Sequence, residues 1–192
     1  MKEMNEIVRK MALEKYISLE EIPQIDLYMD QVIQLFENKY AEAKRNEDEK
    51  VLTKTMINNY AKGKLFFPVK NKKYSKEHII LISLIYQLKG GLSINDIKTT
   101  LDGLNKREDD SDFELEGFYN SYLKIFNQNI TDFQSHAELK QEEARDQIAH
   151  SCHESEEELQ QILLITSIVQ MSNLYRRLAE RLVDELSSKQ EK

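Results

Sequence analysis

Residues 53–68 read TKTMINNYAKGKLFFP, and residues 72–101 read KKYSKEHIILISLIYQLKGGLSINDIKTTL. In the first run Met56, Ile57 and Tyr60 recur at helical spacing, predicting a short helix from about Thr53 to Lys62 with those three side chains inward. Gly63 stands where a left-handed cap would end it. Leu65 to Val69 and the lysine-rich Lys70 to Tyr74 are short β-capable runs about a polar tip, which predicts a small wing whose ladder Pro68 weakens. In the second run Ser75 can cap a helix with Glu77 in its positive first turn. Ile79, Ile80, Ile82, Leu84, Ile85 and Leu88 make that helix largely buried, and Gly90-Gly91 stop it. Ser93 with Asp96 then starts a further helix with Ile94, Ile97 and Leu101 inward.

Upstream, Asp26 is placed to cap a helix whose core stripe is Leu27, Val32, Leu35 and Phe36, and the run Arg45 to Lys50 reads as a solvated connector. Ser18 with Glu21 forms a capping pattern that Pro23 soon interrupts, and Met4, Ile7, Val8 and Met11 have the spacing of a short amphipathic helix. Downstream, DGLNKREDDSD at 102–112 has the composition of a linker. Beyond it Leu115, Phe118, Tyr119, Tyr122, Phe126, Ile130 and Phe133 trace one helical face. A second helix is expected over about 134–150 and a last one over about 154–186. In the last, Leu164, Ile168, Met171, Tyr175, Leu178 and Leu182 alternate spacings of four and three, close to a heptad seam.

The expectation is an all-α protein with a small β wing. It divides into an N-terminal helical extension (1–22), a winged helix-turn-helix head (23–104) and a helical dimerisation or sensor region (113–188). Composition agrees: five Gly, two Pro and no Trp leave little material for turns. The single cysteine, Cys152, excludes an internal disulfide framework. The N-terminus lacks the apolar core of a secretory signal, and no apolar run approaches the length of a membrane span, so a cytoplasmic protein without membrane contact is expected.

A net charge of −7 argues against nucleic acid until its distribution is read. Val51 to Arg107 holds eleven Lys/Arg and three Asp/Glu, a local +8 that leaves −15 for the remainder. In a winged helix-turn-helix the second helix of the pair enters the major groove. The polar side chains available there are Lys54, Thr55, Asn58 and Asn59, and an asparagine amide can both donate to and accept from adenine. Lys62, Lys64, Lys70, Lys72 and Lys73 would approach phosphates.

These same residues resemble the DNA-binding head of MerR-type regulators. There a recognition helix ending in an aromatic residue is followed by a Gly-Leu-containing turn, a wing ending in Tyr-Ser, a helix, and a Leu-Ser-x-x-x-Ile helix start. The resemblance covers about 50 residues and implies DNA binding, with a long C-terminal helix that pairs two heads on adjacent half-sites. It also implies an arginine before the tyrosine, where this chain reads Ile57-Asn58-Asn59-Tyr60, and arginines in the wing, where this chain has lysines. Lysine lacks the planar bidentate fork of arginine, so weaker base discrimination is expected. The stretch from Ile22 to about Leu104 also resembles uncharacterised bacterial proteins that carry a domain of unknown function, often presumed to be helix-turn-helix.

Three function classes remain to be compared. The first is a DNA-binding transcriptional regulator that dimerises through the C-terminal seam, with a small-molecule effector unidentified. The second is a protein-interaction adaptor that keeps the fold and docks an acidic partner or the chain's own acidic region. The third, an enzyme, finds no Ser-His-Asp grouping, phosphate-binding glycine loop or paired metal-ligand spacing, and no cofactor is called for. His150, Cys152 and His153 do not share one helical face and read as a solvated helix end rather than a metal site.

Overall fold

The computed structural model describes residues 4–107, 110, 112–151 and 157–190, and these are mostly helical. In chain order the elements are α1 (Met4–Arg9), β1 (Leu27–Tyr28), α2 (Met29–Tyr40), a 3-10 turn (Ala41–Ala43), α3 (Lys54–Gly63), β2 (Lys73–Tyr74), α4 (Lys76–Leu88), α5 (Ile94–Asn105), α6 (Leu115–Ser151) and α7 (Glu157–Gln190).

Capping sets most of the helix starts. Thr53 Oγ1 accepts from the Met56 amide at 3.1 Å, and Ser93 and Asp96 satisfy one another as a capping box at the head of α5. Asp26 does not cap α2. Leu27 and Tyr28 are instead extended in β1, paired antiparallel with Tyr74 and Lys73, so the helix starts only at Met29. Its cap is Tyr28, whose amide donates to Gln31 Oε1 at 2.8 Å.

The wing is also built differently from the expected hairpin of Leu65–Val69 against Lys70–Tyr74. Its second strand pairs with β1, across the chain, and only a single bridge joins Lys70 to Lys73. Leu65 and Phe66 are buried in the core instead of forming a ladder.

Gly63 does not supply the left-handed cap of α3. Lys64 does, at φ 57°, and its amide donates to Ala61 O at 3.0 Å. Gly63 serves close packing, since a Cβ there would stand 2.7 Å from Leu65 Cδ1. A left-handed lysine costs energy that glycine avoids, so Lys64→Gly should stabilise the chain by about 0.5–1 kcal/mol, measured as a raised urea midpoint.

α4 runs through the middle of the head, with every residue from His78 to Ile85 buried. Around it close Val32, Phe36 and Tyr40 of α2, Ile57 and Tyr60 of α3, and Ile97 and Leu101 of α5. Ile94, expected inward, is 44 % exposed at the first turn of α5. This core takes in residues on both sides of 23–104: Ile17, Leu19 and Ile22 before it, Tyr119 and Leu123 of α6 after it. Tyr119 is 1 % exposed and donates its hydroxyl to the Ile17 carbonyl at 2.8 Å, tying the N-terminal segment to α6.

The two helices expected between 115 and 150 are one, α6, of 37 residues. Neither proline nor glycine lies between Phe118 and Ser151 to break it. α7 packs against α6 and α5, while α1 lies on α6. Met4, Val8, Ala137, Ala144 and Leu164 form a second, smaller core there. Among the described residues no helix is long and apolar enough to cross a membrane.

Candidate nucleic-acid interface

α3 turns its apolar side, Ile57 and Tyr60, into the core. That leaves Lys54, Thr55, Asn58, Asn59 and Lys62 exposed on the other side. Thr55, Asn58, Asn59 and Lys62 stand three, four and seven residues apart, so they form one stripe along the helix surface. Lys54 pairs with Asp30 at 2.8 Å, but both side chains are well exposed and such a pair is weak.

The wing tip is a two-residue turn. Asn71 and Lys72 both have positive φ, 53° and 59°, and the Lys73 amide donates to Lys70 O at 2.9 Å. Positive φ at both central positions is the geometry whose twist matches a hairpin. It lifts Lys72 to the tip, exposed along with Lys70. Lys73 is half-buried, with its Nζ 5.5 Å from the centre of the Tyr28 ring. Exposed Tyr28 at the strand edge escaped notice in the sequence, because its partner lies 45 residues away.

The eleven cations of the basic stretch are not equivalent. Lys89 is turned inward, donating to Val51 O at 3.1 Å with its Nζ 4.2 Å from the Tyr86 ring centre, and burial lowers its pKa. It pins the end of the connector onto α4, beside buried Val51 and Leu52. Lys76 pairs with Glu116 and Lys106 with Asp102. Lys62, Lys64, Lys70 and Lys72, at the end of α3 and the wing tip, are exposed with no ion pair among the described residues, as is Lys98 on α5.

A cavity of about 700 Å³ lies beside the wing, with Lys70 and Lys73 in its lining. Asp26, Glu77, Glu114 and Glu116 face Lys70, Lys73 and Arg107 there, a mixed-sign lining that does not suit a phosphate track.

His78 clamps the wing to the core. Only 3 % exposed, it donates from Nε2 to the Phe67 carbonyl at 3.2 Å and accepts at Nδ1 from the Ser75 amide at 3.1 Å. Its ring lies 4.1 Å from that of Phe67, with Phe66 and Tyr74 also against it. The sequence signal was available, since His78 occupies the third helical position after a capping serine, where a reaching side chain completes the box.

Burial lowers the His78 pKa below 6.5, against the nearby Phe67 carbonyl, Glu77 and Asp26, which raise it. The unfolded chain therefore takes up a proton that the folded chain resists. The stabilisation is complete above the unfolded pKa of 6.5 and is lost as pH falls through it towards the lower folded value. The slope is at most about 1.4 kcal/mol per pH unit. Urea unfolding between about pH 7.5 and 5.5 should show this fall, and His78→Asn should flatten it.

Of the six seam residues on α7, Leu164 is 5 % exposed and belongs to the second core, so it is internal packing. Met171 is half-buried, whereas Ile168, Tyr175, Leu178 and Leu182 face outward. His150 Nδ1 lies 2.6 Å from Asp146 O, and Cys152 and His153 fall outside the described residues. Among the described residues no group of three or more His, Cys, Asp or Glu is placed to hold a metal ion.

The family model described as "Domain of unknown function (DUF1836)" matches residues 17–122. Its limits follow the packed head, from buried Ile17 to the half-buried Tyr122 beside Leu123. No curated protein matches the chain, and no solved structure does.

Proposed function

The chain belongs to the DUF1836 family, and from that premise we propose that it is a DNA-binding transcriptional regulator with a MerR-like winged helix-turn-helix head. The observation that carries the reading is the exposed stripe of Thr55, Asn58, Asn59 and Lys62 on α3, next in the chain to a turn that presents Lys70 and Lys72. A helix with an apolar back and a short polar front is what a major groove admits. Lysines with no ion pair release counterions when they meet phosphate. Thr55, Asn58 and Asn59 are the proposed base readers, and Lys54, Lys62, Lys64, Lys70, Lys72 and Lys73 the phosphate contacts.

Dimerisation is part of the proposal. Ile168, Tyr175, Leu178 and Leu182, spaced seven, three and four residues apart on one face of α7, are each between 38 % and 63 % exposed. They form an exposed apolar seam of the kind that a second copy covers when two chains associate. A second copy placed seam to seam would cover it and bring two heads together. Leu178→Glu with Leu182→Glu should convert a dimer to a monomer in sedimentation at micromolar concentration; a wild-type chain already monomeric there removes this part of the proposal.

The deciding experiment is recovery of genomic fragments by the full-length chain, followed by affinity for a recovered duplex at two salt concentrations. A slope of log affinity against log salt between roughly −3.6 and −5.4 is expected for four to six phosphate contacts. Absence of duplex binding at low salt defeats the reading and favours an adaptor that docks an acidic partner.

A further inference from the structure

A second cavity, of about 880 Å³, opens where the head meets α6. Its apolar lining comes from separate elements: Met11 and Leu13 of the N-terminal segment, Tyr40 of α2, Tyr86 of α4, and Phe126, Ile130 and Phe133 of α6. Its rim carries Lys10, Lys15, Lys44 and Arg45, and no carboxylate lines it. Lys15 is held by Glu42 at 2.7 Å and Lys44 by Glu37, while exposed Lys10 and Arg45 have no ion pair among the described residues. The wall between Lys10 and Leu13 is bent through Ala12, a non-glycine residue at φ 47°. Such backbone costs energy and recurs at ligand sites.

We infer that this cleft binds a small amphipathic anion, an apolar body with a single anionic head group. The volume falls within the range of small-molecule sites, which combine an apolar lining with a few placed polar groups. The charged groups here are of one sign, and two cations remain for one anion. The apolar body would lie against Tyr40, Tyr86, Phe126 and Phe133, and the head group at Lys10 and Arg45, where an arginine offers a carboxylate two parallel hydrogen bonds. Because the lining spans α4 and α6, the ligand would bridge the centre of the head to the long helix. The inference does not depend on whether α3 contacts DNA.

The test is calorimetric titration of the full-length chain with decanoate, kept below its aggregation concentration, alongside decyltrimethylammonium and vesicles of phosphatidylglycerol. Saturable binding of one decanoate per chain is expected, with the cation binding at least tenfold more weakly. Lys10→Glu with Arg45→Glu, both at exposed positions, should weaken decanoate at least tenfold while leaving the circular dichroism unchanged. Phe133→Ser, at the open edge of the cleft, should weaken both amphiphiles. Leu178→Glu with Leu182→Glu, on α7 outside the cleft, should leave decanoate binding unchanged. Equal binding of cation and anion, loss of binding through the α7 variant, an unaffected rim variant, or capture by vesicles without free decanoate binding would each overturn the inference.

Discussion

Lys62→Glu combined with Lys72→Glu is expected to lower affinity for duplex DNA by about 100-fold at roughly 0.1 M salt, and to flatten the salt dependence by about two units. Each lost phosphate contact forgoes about one released counterion, roughly a factor of eight at that salt, and two carboxylates facing the backbone add repulsion. Both side chains are exposed, neither has an ion pair among the described residues, and neither supports the core. Circular dichroism and the urea midpoint should therefore change little. The structure determines the choice of pair. Lys73, adjacent in sequence, is half-buried against Tyr28, so its reversal would mix lost packing with lost binding. Lys124→Glu, exposed on α6 and outside the basic stretch, is the control and should cost at most a few-fold. Should the double variant retain full affinity, any DNA binding runs through another surface.

Lys72→Gly separates stability from binding at the wing tip. It relieves a lysine held at φ 59° and removes one cation, so the urea midpoint should hold or rise while DNA affinity falls.

Phe36→Ala should destabilise the chain by about 3–5 kcal/mol, a large part of the total stability of an ordinary domain. Phe36 is 0 % exposed, with its ring centre 6.0 Å from both Tyr40 and Tyr86. Removing the ring leaves a cavity between α2 and α4 that rigid neighbours cannot close. Tyr40 and Tyr86, tilted at 35° with ring centres 4.4 Å apart, would lose one of their walls, and both line the cleft beneath α6. The loss should appear as an earlier urea midpoint, together with weakened decanoate binding under conditions where the variant is still folded. A change below about 1 kcal/mol would mean that Phe36 is not part of a packed core.

Local signals carried much of this fold. The apolar run of α4, the Ser93–Asp96 box and the inward Ile57 and Tyr60 of α3 depend on residues within one or two turns of each other. Periodicity and capping therefore place them. The exposed stripe on α3 was legible for the same reason, since once the apolar face is assigned the polar face follows.

What the sequence determined alone was the order of the helices within the head, the burial of α4 and the concentration of positive charge between Val51 and Arg107. The tertiary structure decided everything that required distant residues to meet. It paired β2 with β1 rather than with its own neighbour, and drew Ile17 and Tyr119 into the head across 102 residues. It turned Lys89 inward, put the left-handed cap on Lys64 instead of Gly63, and gathered the rim and floor of the amphipathic cleft from four parts of the chain. The reason is one of range. Helix propensity and capping act over three or four residues, whereas strand pairing, core closure and cavity shape depend on which surfaces bury one another, and that is settled only when the whole chain packs.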